Sequence, residues 1–261
     1  MDKKKIIEKL RDDVEYYQGI GKDYFSASSL KQLLKEPGEY GKEVKETENL
    51  VLGSYFHTCI LEPHRKKDYE IWTETEIRSK AYKERIAELD MNWMMKTSDA
   101  DKVHDWVSHF HKQTIFEDLI KKKGVRIEEP EIKTFTINGK EYTIKGKADM
   151  ITPEGRIIDI KTTNDENEHL FVHNAKKNWH YDLQAYIYSQ LWQMPVTFVA
   201  FCKHPFENKE GETYHKVYVC PVSEETLLEG KRKLALAMEI YEAWHGPDSK
   251  WNVNMPIEIK F

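Results

Sequence analysis

The sequence predicts a mixed α/β fold, a central mixed sheet of about five strands flanked by helices. Three observations predict it. The first third of the chain spaces its leucines helically behind capping residues. From Ile127 onward the pattern changes to an alternation rich in β-branched residues, interrupted by Asn138-Gly139. The run Ile157-Ile158-Asp159-Ile160 then has the apolar character of a buried strand.

The elements follow in order. Ser26-Ala27-Ser28-Ser29 stands before Leu30, Leu33 and Leu34, a capping sequence followed by helical spacing, and Pro37-Gly38 ends that helix. A second helix is expected from Leu50 to Leu61, before Glu62-Pro63, and a third from about Arg78 to Leu89. A fourth starts behind Thr97-Ser98-Asp99 and carries Val103, Trp106, Val107 and Phe110 on one face. Asn138-Gly139 between alternating runs marks a hairpin, and Pro153-Glu154-Gly155 marks a second turn. The polar stretch from Asn164 to Asn178 reads as a loop with some helix. A helix from about Trp179 to Trp192, two strands, and a helix opened by Ser223 and reaching about Trp244 complete the pattern. The order is a mainly helical part over 1–125 and a βββαββα part over 126–261, read as a single domain.

A chain of 261 residues can bury a sizeable core. With 39% hydrophobic and 33% charged residues it is globular in composition. No apolar run reaches the roughly 18 residues of a membrane span, and no signal peptide is visible. Cys59, Cys202 and Cys220 are odd in number and far apart, so neither a disulfide nor a zinc framework is expected. A reducing cytoplasm is the natural setting. The net charge of -5 neither points to nucleic acid nor excludes it. Local basic surface exists at Lys121, Lys122, Lys123 and Arg126, and at Lys145 and Lys147.

The chemistry concentrates around the second turn. Asp159 and Lys161 project from the same face of one strand, their Cα atoms about 6.5–7 Å apart. A three-residue loop at Pro153-Glu154-Gly155 pairs Thr152 with Arg156. Counting back, Ile151 meets Ile157, Met150 meets Ile158, and Asp149 meets Asp159. Two carboxylates about 5 Å apart on an apolar strand repel each other unless a cation lies between them. A divalent ion, Mg²⁺ or Mn²⁺, is the simplest resolution. Lys161 beside it could orient or deprotonate an attacking water, or stabilise charge developing on a phosphate.

These residues resemble the PD-(D/E)xK nuclease superfamily, and within it the RecE-type exonucleases of phages and prophages. Ser26 to Pro37 is similar to that group's N-terminal segment. Gly53-Ser54-Tyr55-Phe56-His57 is similar to its Gly-x-x-x-His motif. Gly146-Lys147-Ala148-Asp149 and Ile158-Asp159-Ile160-Lys161-Thr162-Thr163 are similar to its core. Gln184 and Tyr188 stand as in the Gln-x-x-x-Tyr motif of the RecB-like branch. Asp159 stands where many members carry Glu.

The resemblance implies a restriction-endonuclease-like core and metal-dependent digestion of linear double-stranded DNA, 5′ to 3′, leaving single-stranded tails for recombination. It implies His57, Asp149, Asp159 and the Ile160 backbone carbonyl as metal ligands, with Lys161, Asp159, Asp149 and Gln184 catalytic. It implies DNA contacts from Gln184, Tyr188, Thr162, Ser28 and Lys147. It also implies a catalytic glutamate on the first strand of the sheet. Here the choice lies among Glu128, Glu129 and Glu131, with Glu131 preferred. A ring-shaped homo-oligomer, a RecT-like single-strand annealing partner and a bacterial host cytoplasm follow from the same resemblance. A structure-specific DNA endonuclease and a non-catalytic DNA-binding module are the competing readings.

Overall fold

The computed structural model describes residues 2–249 except 43–44, 74–75, 77–78, 92, 114–118 and 248. Its first part holds α1 (Lys3–Lys9), α2 (Asp13–Tyr17), β1 (Phe25–Ser26), α3 (Ala27–Lys35) and α4 (Glu48–Leu61). It continues with β2 (Ile71–Trp72), α5 (Lys80–Glu88), β3 (Met95–Lys96) and α6 (Thr97–His111). The second part holds β4 (Arg126–Ile137), β5 (Lys140–Ile151), β6 (Ile157–Thr163), α7 (Glu168–Lys177) and α8 (Tyr181–Trp192). It ends with β7 (Val196–Glu207), β8 (Thr213–Pro221) and α9 (Glu224–His245).

Local chemistry explains most of these boundaries. The Ser26 side chain accepts the Ser29 N–H, and Ser29 in turn takes the Ser26 N–H, a reciprocal cap that starts α3. Thr47 caps α4, Ser79 caps α5 and Ser223 caps α9 one-sidedly, each side chain accepting a backbone N–H of the first turn. Arg78, where the third helix was expected to begin, lies outside the described residues. The polar stretch after Asn164 is more helical than expected, because Asn167 caps the ten-residue α7. The helix expected from Trp179 starts at Tyr181, since His180 takes a left-handed conformation with φ 49°.

The main sheet has six strands where about five were expected. The addition is β1, which pairs in parallel with β5 through Phe25↔Ile144 and Ser26↔Lys145. Two residues offer no alternation to read. The sheet is mixed, as the sequence predicts: β6 and β7 run parallel, while β4–β5, β5–β6 and β7–β8 are antiparallel.

Helices cover both faces. On one, Leu30 and Leu33 of α3, Leu183, Ile187 and Leu191 of α8, and Leu234 and Met238 of α9 bury Ile144, Ala148 and Ile157. On the other, Leu52 and Phe56 of α4 and Val103 and Phe110 of α6 bury Met150, Ile158, Ile160, Val199 and Phe201. Strand alternation therefore sends Ile158 and Ile160 under α4 and leaves Asp159 and Lys161 for the opposite face.

Candidate active site

The site forms where the sheet opens. The turn at Pro153 is as the sequence predicts: Gly155 has φ 77°, and the Thr152 N–H donates to the Arg156 carbonyl at 2.9 Å. Ile151↔Ile157 and Met150↔Ile158 pair, and there the ladder between β5 and β6 stops. The expected pair of Asp149 with Asp159 does not form. Asp149 Oδ2 instead accepts the Ile160 N–H at 2.7 Å, so a side chain replaces the strand partner.

Further back along the same edge, β5 is taken by β1 at Ile144 and Lys145. Between the two partners, residues 146–149 face no described strand on that edge. Buried backbone groups need partners, and side chains supply them. Tyr188 Oη donates to the Lys147 carbonyl at 2.8 Å, and His57 Nε2 lies 2.5 Å from the Ile160 carbonyl oxygen.

His57 comes from α4, which approaches β6 closely at Gly53; a Cβ there would stand 3.4 Å from Thr162 Oγ1. His57 Nε2 is also 3.6 Å from Asp149 Oδ2. The third member is Glu128. One ligand atom each from His57, Glu128 and Asp149 lies within 4.8 Å of the others. Glu128 sits opposite Asp149 in the β4–β5 hairpin, between Ile127↔Met150 and Glu129↔Ala148, but with φ 50° it drops out of the ladder. A non-glycine residue held in that region is strained, and such strain clusters at functional sites.

Burial, and next the Asp149 carboxylate, push the Glu128 carboxyl up. Burial, and next Asp159, do the same to Asp149. Two carboxylates, one imidazole and one carbonyl thus converge on a point that favours positive charge. The donor set fits a divalent metal.

Asp159 is fully buried and near enough for its charge to act on Asp149. The Lys161 ammonium forms an ion pair with Asp159 Oδ1. Gln184 Nε2 donates to Asp159 Oδ2 at 2.6 Å. Burial pulls the Lys161 ammonium down, but Asp159 and then Asp149 outweigh it and raise the pKa above the ordinary lysine value. A second lysine, Lys31 of α3, donates to Gln184 Oε1 at 2.6 Å. Burial, and next the Lys161 charge, bring Lys31 down to about 7. The Lys31 and Lys161 ammonium groups lie 4.8 Å and 5.4 Å from the centre of one ring, that of Tyr181.

The structure thus gathers His57, Asp149, the Ile160 carbonyl, Asp159, Lys161 and Gln184. It does not bring Glu131 to them. Glu131 pairs with Lys3 at 2.9 Å and accepts the Ile132 N–H. The preference for Glu131 is corrected to Glu128, which the Asn138-Gly139 register itself would have selected. Ile137 pairs with Lys140, the register never shifts, and position 128 falls opposite 149. Tyr188 is buried, edge-on to Trp192, and its hydroxyl is occupied by β5. Lys147 is buried too, tied to Asp13 at 2.5 Å. Neither presents the solvent-facing side chain expected of a DNA contact. Thr162 lies against Gly53, and Ser28 is exposed on α3. Lys31 was missed, since one more lysine on a helix carries no signal in sequence.

The family profile described as a PDDEXK-like domain of unknown function (DUF3799) matches residues 24–244. The chain belongs to this family. A candidate exonuclease from Eubacterium rectale shares its fold, with a TM-score of 0.59 at 15% identity over 95% of this chain and 95% of that one. A phage-related exonuclease from Haemophilus somnus 129PT aligns at a TM-score of 0.36 and 14% identity, over 84% of this chain and 93% of that one. An alkaline exonuclease (LHK-Exo) from Laribacter hongkongensis aligns at 0.34 and 15% identity, over 84% and 90%. No curated protein matches the chain. No helix among the described residues is long and apolar enough to cross a membrane.

Proposed function

We propose that this member of the PDDEXK-like family is a metal-dependent deoxyribonuclease that digests linear duplex DNA from an end. The observation that carries the reading is the convergence of His57, Glu128, Asp149 and the Ile160 carbonyl beside the Asp159–Lys161 ion pair. His57, Asp149, Glu128, the Ile160 carbonyl and Asp159 Oδ1 would hold a divalent ion. The oxygen-rich set suits Mg²⁺ or Mn²⁺. When bound, such an ion supplies positive charge to the scissile phosphate and acidifies water.

The chain's own residues supply the rest. Lys161 stays protonated at neutral pH, because neighbouring carboxylates raise its pKa. It therefore acts as a fixed cation and hydrogen-bond donor toward charge developing on the phosphate, rather than as a base. Gln184 and Lys161 hold Asp159 from its two oxygens. The α4 helix, carrying His57, closes one side and excludes water from the apolar flank of β6.

Digestion from an end rests on the motif resemblance and on the fold shared with the Eubacterium rectale candidate exonuclease, and 5′ to 3′ polarity rests on the motif resemblance alone. A ring-shaped oligomer and a RecT-like annealing partner belong to the same reading. In the test, linear and covalently closed circular duplex DNA are incubated with the protein, with Mg²⁺ and with EDTA. Degradation of the linear form alone, abolished by EDTA, is the expected result. Cutting of the closed circle would replace the exonuclease with an endonuclease. No hydrolysis with any divalent metal would leave a DNA-binding module.

A further inference from the structure

Lys31 of α3 touches the site through Gln184, and the proposed reaction has not used it. Its ammonium donates to Gln184 Oε1 at 2.6 Å, and the same amide donates from Nε2 to Asp159 Oδ2 at 2.6 Å. Asp159 Oδ1 meets Lys161. The four side chains form one unbranched line, Lys31–Gln184–Asp159–Lys161, that crosses from α3 through α8 to β6.

A glutamine amide has two orientations of nearly equal shape but opposite chemistry. In one, the NH₂ faces Asp159. In the other, the carbonyl oxygen faces a carboxylate and the NH₂ faces an ammonium. The Asp159 carboxylate alone biases the choice, and a cation on the far side makes it decisive. As an ammonium Lys31 can only donate, so in that form Oε1 points to it and Nε2 points to Asp159. Tyr181 holds Lys31 from below, 4.8 Å from Nζ to the ring centre, so the ammonium cannot swing away freely.

We propose that Lys31 is a positioning residue: through Gln184 it fixes the rotation of the Asp159 carboxylate and so presents Oδ1 to the metal. The inference deepens the nuclease reading and rests on Asp159 serving the metal. Removing the direct hydrogen-bond partner of a metal ligand, here Gln184, costs about 10- to 100-fold in affinity, and Lys31, which acts through Gln184, belongs at the low end of that range.

The test measures Mn²⁺ binding by the full chain, by electron paramagnetic resonance of the free ion, together with kcat and KM on linear duplex DNA. Lys31→Met is expected to weaken Mn²⁺ binding about tenfold and to lower kcat with KM nearly unchanged. Gln184→Leu should do the same. The double variant should be no worse than Gln184→Leu alone, because both changes break one line. Lys31→Gln keeps an N–H donor and should recover most of the Mn²⁺ affinity. It also guards against a folding defect in the methionine variant, which an unchanged melting temperature checks directly.

Additive losses in the double variant, or a rise in KM alone, would mean that Lys31 touches the substrate itself, and would overturn the proposal. So would unchanged Mn²⁺ affinity in Lys31→Met, or equal losses in the methionine and glutamine variants. A chain that binds Mn²⁺ in this pattern yet cleaves no DNA would keep the positioning role and discard the nuclease reading. A wild-type chain that binds no Mn²⁺ overturns both.

Discussion

Two hairpins share strand β5, and they behave oppositely. The β4–β5 hairpin turns at Asn138 (φ 49°) and Gly139 (φ 78°), the two positive φ values a type I′ turn requires. From Ile137↔Lys140 to Arg126↔Ile151 its register never shifts, and only the Glu128–Asp149 pair is missing from the ladder. The β5–β6 hairpin turns just as regularly at Gly155, yet pairs only twice before its strands separate. Turn chemistry is equally good in both, so the turn does not decide how far a hairpin zips. What decides it is whether side chains offer the backbone a better partner. Asp149 takes the Ile160 N–H, His57 meets the Ile160 carbonyl, and Tyr188 takes the Lys147 carbonyl. The fork is satisfied by functional groups, and it places the candidate metal ligands at the point where strand pairing ends.

The largest effect should come from breaking the fork chemically. Asp149→Asn keeps an acceptor for the Ile160 N–H but removes a charge. DNA hydrolysis should fall by at least about 10²-fold, while the melting temperature in EDTA rises because repulsion with Asp159 and Glu128 is relieved. A variant that releases nucleotides at a rate near wild type would remove Asp149 from the site. Lys161→Ala, beyond the fork, should lose as much activity with duplex binding retained.

Glu128 is the one point where the regular hairpin joins the irregular one. Glu128→Gly should relieve a positive-φ strain of about 1–2 kcal/mol and raise the denaturation midpoint in EDTA while lowering cleavage. Equal loss of stability and activity would mean that Glu128 is structural only.

In the regular hairpin the expectation reverses. Gly139 has open space around its Cα, so Gly139→Val pays only for backbone conformation. It should destabilise the protein by about 1–2 kcal/mol, seen as a lower denaturant midpoint, with unchanged kcat per folded molecule. A lost kcat would show that the two hairpins are mechanically coupled.

The smallest effect is a pH slope. Glu128 and Asp149 have raised pKa values in the folded chain, so between about pH 4 and those values the folded state holds protons that the unfolded chain has released. Stability in EDTA should therefore fall as pH rises through this range, and divalent metal should flatten the fall. A slope of opposite sign, read from denaturation midpoints at stepped pH, would contradict the crowding of the carboxylates.

The helices behind Ser26, Thr47 and Ser223, both turns, and the alternation of β4 and β5 were legible because capping and turn geometry depend on neighbours in sequence. Asp149, Asp159 and Lys161 were legible for the same reason, since they lie within a few residues of one turn. Glu128 was within reach of a register count, but only if the hairpin was known to be free of bulges. Lys31, α1, α2 and β1 were not legible, because their roles depend on partners more than a hundred residues away or on pairing too short to show a period.

The sequence by itself determined that a carboxylate pair and a lysine sit near a tight turn on a mixed sheet. Only the tertiary structure decided that the pair would be parted. Asp149 turns to the Ile160 amide and His57, while Asp159 turns to Lys161 and Gln184. Local turn chemistry sets where two strands begin to pair. Where they stop depends on which buried side chains, delivered by α4 and α8 from opposite faces, compete for the same backbone groups.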